Sequence, residues 1–495
     1  MASAEVAPFA RAGGLSDVVG ALSKAMVDLG HEVTVFLPKY AMIDDAEYGI
    51  APVSGVPPLK VPMGEGEEEV RLHECRMPGG EGVRVVLIEH TGYFDRPGLY
   101  MDPETGHGYE DEVQRYALFS RALIEASRAL RLKPDVFHLN DHHTALAAVY
   151  LRDLYAGDGE VCGAGIVFSI HNLGYLGGFD KAALPSLGFP EDACVYGSPF
   201  EYRGGVSTLK LGIEYADYVN TVSEKYAIEI STDPEYGLGL EGVLAEKRDA
   251  GRLVGILNGV DYNVWDPSVD PLIPHAYSAD DLSGKEKCKR ALLERSGLGV
   301  DTGPALLGIV SRLADQKGFD LLREVADRII DRGARLVVLG TGQKEYHDFL
   351  SDLASRREGL VAAHLLFDNE LSHWIEAGSD MFVMPSRYEP CGLNQLYSLR
   401  YGTVPVVRAT GGLADTVEDF DESEGTGVGF VFDEYDPEAL FGAVERALLV
   451  YASADVWRGV VSRGMALDFS WPVSAGKYAS LYEEAAEAAR AHTSA

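Results

Sequence analysis

Short β-branched apolar runs alternate with longer stretches of helical periodicity along almost the whole chain, and the rhythm breaks only once. Residues 33–37, 83–88, 136–139 and 166–170 read as buried strands. Between them, residues 14–29 place Leu15, Val18, Val19, Leu22, Ala25, Met26 and Leu29 at helical spacing, and Gly30 supplies a stop. Residues 111–130 and 144–155 predict further helices. Around residues 261–304 the texture changes to a Pro- and Asp-rich stretch and one charged helix over 285–296. A second series then begins, with strands predicted at 306–310, 336–339, 381–384 and 404–407. Alternation of this kind demands an α/β fold with a largely parallel sheet covered by helices on both faces. At ~150 residues per domain, 495 residues exceed one core. The expected organisation is therefore an N-terminal domain over 1–262, a C-terminal domain over 263–473, and a terminal segment over 474–495. That segment is Ala/Glu-rich and helical, and is free to pack back on the first domain. The acidic stretch 64–69 is expected to be a solvated turn.

Charge narrows the partners. A formal net charge of −34 repels phosphate backbones and anionic lipid, so neither nucleic acid nor a membrane surface is an expected partner. No apolar run approaches the ~20 residues that span a bilayer, and residues 1–14 contain no apolar stretch of signal-peptide length. Five scattered cysteines without CxxC spacing argue against a disulfide framework or a zinc knuckle, and for a reduced, cytoplasmic setting.

Several loops at strand ends carry chemistry-bearing residues. Ala12-Gly13-Gly14-Leu15-Ser16-Asp17-Val18-Val19 is echoed by Thr410-Gly411-Gly412-Leu413-Ala414-Asp415-Thr416-Val417. Each opens a helix, where paired glycines expose N–H groups to an anion. One copy in each domain favours two helix ends on a shared cleft over two ordinary turns. The first copy needs a strand before it, yet only Met1 to Glu5 is available, so the native chain is expected to start upstream with Met1 inside that strand. Arg312 and Lys317, after the strand 306–310, sit where open α/β sheets bind ligands; they read as a diphosphate grip or as surface charge. Residues 385–393 form a stiff Pro-flanked turn that aims Glu389 at ligand hydroxyls. Cys391 there lacks an adjacent histidine, which favours lining over nucleophilic attack. In His138-Leu139-Asn140-Asp141-His142-His143 the side chains are expected to diverge, so no metal is expected, and Asp141 is left to cap a helix or bind a hydroxyl. His171 ends another strand, as a core histidine or as a group at the reacting centre.

Together these segments resemble the bacterial glycogen synthase and plant starch synthase family, retaining glucosyltransferases of the GT-B fold. The resemblance runs from Ser3 to about Tyr482, through residues 3–8, Gly13-Gly14-Leu15, Ile170-His171-Asn172-Leu173, residues 255–261, Ser311-Arg312-Leu313, Gln316-Lys317-Gly318, residues 385–395 and residues 410–417. It implies two Rossmann-like domains across a deep cleft, and transfer of glucose from ADP-glucose to the non-reducing 4-hydroxyl of an α-1,4-glucan with retention. No cofactor or metal is implied. By this resemblance His171, Glu389, Asp17, Arg312 and Lys317 carry catalysis. Arg11, Gly14, Asn258, Phe367, Cys391, Gly392, Leu393, Thr410, Gly411 and Gly412 join Arg312 and Lys317 in binding the donor, Phe367 by stacking on adenine. Asp141 and Asn172 line the acceptor side. Fixed cations at the departing diphosphate suit the oxocarbenium-like transition state of glycosyl transfer.

Two departures stand out. Arg11 occupies the family's usual lysine position, keeping the charge but not the geometry. Eight residues after Glu389 stands Tyr397 rather than the second glutamate of many related transferases, which favours the glycogen and starch synthase branch. Competing readings are a GT-B transferase using UDP-glucose or another acceptor, and a catalytically silent glucan-binding relative. A nicotinamide dehydrogenase is disfavoured because neither glycine pair completes GxGxxG with a downstream acidic residue.

Overall fold

The middle strand of the first sheet is made by the residues least like a strand. In the computed structural model, which describes residues 1–493, Ala2 pairs in parallel with both Phe36 and Leu139. The Phe36 N–H donates to the Met1 carbonyl at 2.8 Å, and the Ala2 N–H donates to the His138 carbonyl at 2.8 Å. Met1 to Ser3 thereby joins β1 (Thr34–Pro38) to β4 (Val136–Asn140). Beyond β1 lie β3 (Gly80–Glu89) and β2 (Gly66–Met77); beyond β4 lie β5 (Gly165–Ile170), β6 (Tyr218–Thr221) and β7 (Leu253–Gly255). All pair in parallel except β2, which runs antiparallel to β3.

Two sequence expectations are met only in part in this unit. The acidic stretch 64–69 is solvated but is a turn only at Gly64 and Glu65, because β2 already begins at Gly66 and forms a hairpin with Leu59–Met63. Alternation turns Glu67 and Glu69 outward while Val70 is buried, and Lys60 Nζ holds Glu67 at 3.0 Å. The helix expected over 144–155 shrinks to Leu146–Val149 and continues as a π-helical turn, Tyr150–Leu154. Asp141 at φ 56° reverses the chain, and the Thr144 hydroxyl donates to the Asn140 carbonyl, so regular winding starts late.

The helix Trp471–Thr493 closes the first unit, packing on β5 and on the helix Gly14–Asp28. Its docking is specified by a buried polar chain. Ser169 Oγ donates to Asn220 Oδ1 at 2.5 Å, so His138 Nε2–H must donate to Ser169 Oγ, and His138 Nδ1 is left to accept from the Tyr482 hydroxyl at 2.7 Å. Asn220 Nδ2 donates to the Tyr478 hydroxyl at 3.1 Å. Burial holds His138 well below its ordinary pKa, consistent with the neutral tautomer this chain needs. Tyr482→Phe strands Nδ1 and is expected to cost about 1–3 kcal/mol, read as a lower urea midpoint with unchanged m-value.

The second unit, residues 223–226 and 260–470, carries the sheet β8 (Leu306–Val310), β9 (Arg335–Leu339), β10 (Val361–His364), β11 (Met381–Met384), β12 (Val404–Arg408) and β13 (Phe430–Phe432). The first unit comprises residues 1–222, 227–259 and the chain from Trp471 onward. The spatial order β10-β9-β8-β11-β12-β13, all parallel, is the doubly wound order 3-2-1-4-5-6, with its switch point between β8 and β11. Leu307, Ile309, Leu336, Val338, Val383 and Val406 enter one buried cluster. Their neighbours Leu306, Val337, Leu339, Phe382, Met384 and Val407 enter the opposite one. Both faces are therefore dry, which is why the strands read as continuous apolar runs. Tyr397 stacks on Trp265 at 3.9 Å, and His373 lies on Trp265 at 3.8 Å. The position that departs from the two-glutamate pattern thus serves packing. No helix among the described residues is long and apolar enough to cross a membrane.

Candidate active site

In the second unit, the loops that leave β8 and β11 meet at the switch point. Lys317 ends the short turn Asp315–Lys317, and Glu389 lies in the loop after β11. Lys317 Nζ donates to Glu389 Oε2 at 2.6 Å, and the Ser386 hydroxyl donates to the same oxygen at 2.9 Å. Glu389 is buried, so its second oxygen and the remaining N–H donors of Lys317 are the polar groups available to a ligand. Arg312 is exposed beside them and touches Gln316 Oε1 at 3.4 Å, while Gln316 Nε2 donates to the Tyr388 carbonyl at 3.2 Å. Thr410, Gly411 and Gly412 follow β12, and the Gly412 N–H donates to the Glu389 and Pro390 carbonyls at 3.0 and 3.1 Å. Gly411 has φ 46°, and a Cβ there would lie 2.0 Å from the Glu389 carbonyl oxygen. Cys391 is buried and Gly392 turns at φ 69°; Gln395 Nε2 donates to both of their carbonyls at 2.9 and 3.0 Å, leading through Leu393 into the helix Asn394–Arg400. This is a preorganised loop cluster that carries two cations at the switch point of the sheet, chemistry able to oppose the charge of a diphosphate.

The first unit has a parallel arrangement. The Glu5 carboxylate, from the loop after the middle strand, accepts from the Ala12 and Gly13 N–H groups at 2.6 and 2.7 Å and from the Tyr100 hydroxyl at 2.5 Å. It shapes the turn that carries Arg11 and starts the helix at Gly14. Arg11 is exposed and ion-pairs with Asp17 at 2.8 Å. Of the two roles expected for Asp141, a helix cap or a hydroxyl ligand, the cap is not made: its Oδ1 accepts from the His171 N–H at 2.8 Å, because its left-handed backbone aims the carboxyl across to β5. Burial pushes the Asp141 carboxyl up to about 7; the His171 N–H opposes this, the Glu5 carboxylate adds to it, and the Asn172 N–H opposes it again. His171 Nε2 meets Asn140 Oδ1 at 2.9 Å, and burial lowers the imidazole to about 4, so it is neutral near pH 7. Asn172 Oδ1 accepts from the Gly174 N–H at 2.9 Å.

The structure thus brings Arg312, Lys317, Glu389, Cys391, Gly392, Leu393, Thr410, Gly411 and Gly412 into one loop cluster. Arg11, Gly14 and Asp17 share a second, linked through Glu5 to Asp141, His171 and Asn172. Two expected residues stand apart. Phe367, after β10, is 86% exposed with its ring bare, and Asn258 is buried with an unpaired Oδ1. The divergence expected of the side chains at 138–143 holds for His138 and fails for His142 and His143. Their rings lie 3.7 Å apart because the reversal at Asp141 breaks the regular alternation, whereas His138 points away towards Tyr482. The sequence did not point to Glu5, Tyr100, Asn140 and Ser386 as site residues; a carboxylate eight residues before the Gly13-Gly14 pair was the one available signal, for Glu5.

Residues 1–246 match the family described as "Starch synthase catalytic domain", and residues 293–458 match "Glycosyl transferases group 1". The chain is 46% identical to a glycogen synthase of Koribacter versatilis, covering 98% of this chain and 97% of that one. It is 44% identical to glycogen synthase 1 of Geobacter sulfurreducens, covering 97% and 95%. Among solved structures, the catalytic domain of starch synthase IV from Arabidopsis thaliana, bound to ADP and acarbose, aligns with a TM-score of 0.88 at 33% identity over 98% of both chains. Sucrose-phosphate synthase from Thermosynechococcus elongatus shares the fold alone, with a TM-score of 0.58 at 18% identity over 96% of this chain and 94% of that one.

Proposed function

The chain belongs to the glycogen synthase and starch synthase family, glucosyltransferases of the GT-B fold, and from that membership we propose that its donor is ADP-glucose and its acceptor the non-reducing end of an α-1,4-glucan. The observation that carries this reading is the Lys317–Glu389–Ser386 constellation at the switch point of the second sheet. Lys317 and Arg312 neutralise the diphosphate as the glycosidic bond breaks, while the amide-rich turn at Gly411 and Gly412 stays fixed and costs no reorganisation. Glu389 spends one oxygen on Lys317 and offers the other to glucosyl hydroxyls. Cys391, Gly392 and Leu393 line the donor, and Thr410 supports the turn. Arg11, with Asp17 as its counter-ion, approaches the phosphates, and Gly14 leaves room for them. Neutral His171 lies beside the anomeric carbon, where an uncharged imidazole donates or accepts a hydrogen bond without repelling the oxocarbenium-like centre. Asp141 and Asn172 hold acceptor hydroxyls, and Asn258 reaches the donor. The bare ring of Phe367 is available to stack on adenine, whose face exceeds that of uracil. The ADP in the Arabidopsis relative supports the same base. We also infer a cytoplasmic setting, in keeping with five free cysteines.

A donor comparison on a fixed glycogen acceptor tests this. ADP-[¹⁴C]glucose is expected to label precipitated glucan with a higher kcat/KM than UDP-[¹⁴C]glucose. A preference for the uridine donor would overturn the base assignment, and no label from either would favour a silent glucan-binding relative.

A further inference from the structure

We propose that Glu112, His142 and His143 form a binding site for one divalent transition-metal ion of the zinc class, next to Asp141 in the chain. One nitrogen of each imidazole and a carboxylate oxygen of Glu112 lie within 4.8 Å of one another. A tetrahedral zinc ion holds its N and O ligands at about 2.0–2.2 Å; the two imidazoles lie 3.7 Å apart, so both rings must turn edge-on to an ion for the set to close. Two further observations point the same way. The Nδ1 atoms of His142 and His143 are both buried without a hydrogen-bond partner, a costly state that a bound ion at either ring would help to offset. Glu112 and His142 also line a cavity of about 340 Å³ together with Tyr175, Gly177 and Thr208, which leaves the fourth coordination position open to water.

The buried Arg115 guanidinium, whose charge acts on both Glu112 and His143, donates to the Tyr93 and Leu99 carbonyls at 2.9 and 3.1 Å and keeps Nη1 unpartnered, so an incoming cation must be held against it. Two nitrogens and one oxygen favour zinc-class ions over magnesium or calcium, which prefer all-oxygen shells.

The full-length enzyme, stripped of metal by chelator dialysis, is titrated with Zn²⁺ against a chromophoric competitor and separately with Co²⁺. One saturable equivalent per chain is expected, with the intense visible bands of four-coordinate Co²⁺. Glu112→Gln and His142→Gln should each weaken binding by about tenfold or more and abolish the Zn²⁺-dependent rise in Tm. Their metal-free Tm values report whether they fold. Absence of a stoichiometric equivalent in the parent enzyme, octahedral Co²⁺ spectra, or unchanged affinity in both variants would overturn the assignment.

Discussion

Lys317→Ala is expected to lower kcat for glucosyl transfer by about 10²–10³-fold, with far-UV circular dichroism unchanged. The ammonium group sits 2.6 Å from Glu389 and is the less exposed of the two cations in its loop. In the proposed role it would act from a partly buried position, where a charge is screened less than at the surface. Removing it also frees the buried Glu389 carboxylate from all but Ser386, so the loop loses its anchor as well as its charge. Lys317→Arg separates the two effects: it keeps the charge and the ion pair but not the compact ammonium geometry, and should retain more activity than the alanine variant. A kcat for Lys317→Ala within roughly twofold of the parent would remove Lys317 from the chemistry.

Gly411→Ala should destabilise the second unit by about 3 kcal/mol and depress activity with it. A methyl group at this position would sit 2.0 Å from the Glu389 carbonyl oxygen, and the backbone already occupies φ 46°. Relief requires the 409–412 turn to back away, which breaks the Gly412 N–H bonds to Glu389 and Pro390 and lets Glu389 drift. Calorimetry should show a fall of roughly 6–12 °C in Tm for a unit of this size. An unshifted transition would mean that the turn relaxes freely and does not position Glu389.

Much of this architecture was readable in advance. The runs 306–310, 336–339, 381–384 and 404–407 announce a sheet buried on both faces, and the loops after them carry Arg312, Lys317 and Glu389 because ligand groups gather at strand ends. What escaped reading depended on contacts distant in sequence or on broken periodicity. Glu5 is tied to Tyr100, 95 residues away, and its bonds to Ala12 and Gly13 depend on how the loop folds back. The pairing of His142 with His143 follows from one positive φ at Asp141, which residue type alone does not reveal. The glutamates of β2 concealed a period-two pattern because their charge dominated it; Val70 and Leu72, buried at alternate positions, kept the strand signal.

The return of Trp471–Thr493 to the first unit has a consequence for biogenesis. A nascent polypeptide leaves the ribosome from its N-terminal end, so the first Rossmann-like body waits, with His138 and Asn220 lacking their tyrosine partners, while the whole second body emerges. The second body is contiguous apart from residues 223–226 and has no such wait. Vectorial synthesis thus leaves the earlier-made body as the later to mature, and exposes its unfinished face to chaperones throughout elongation.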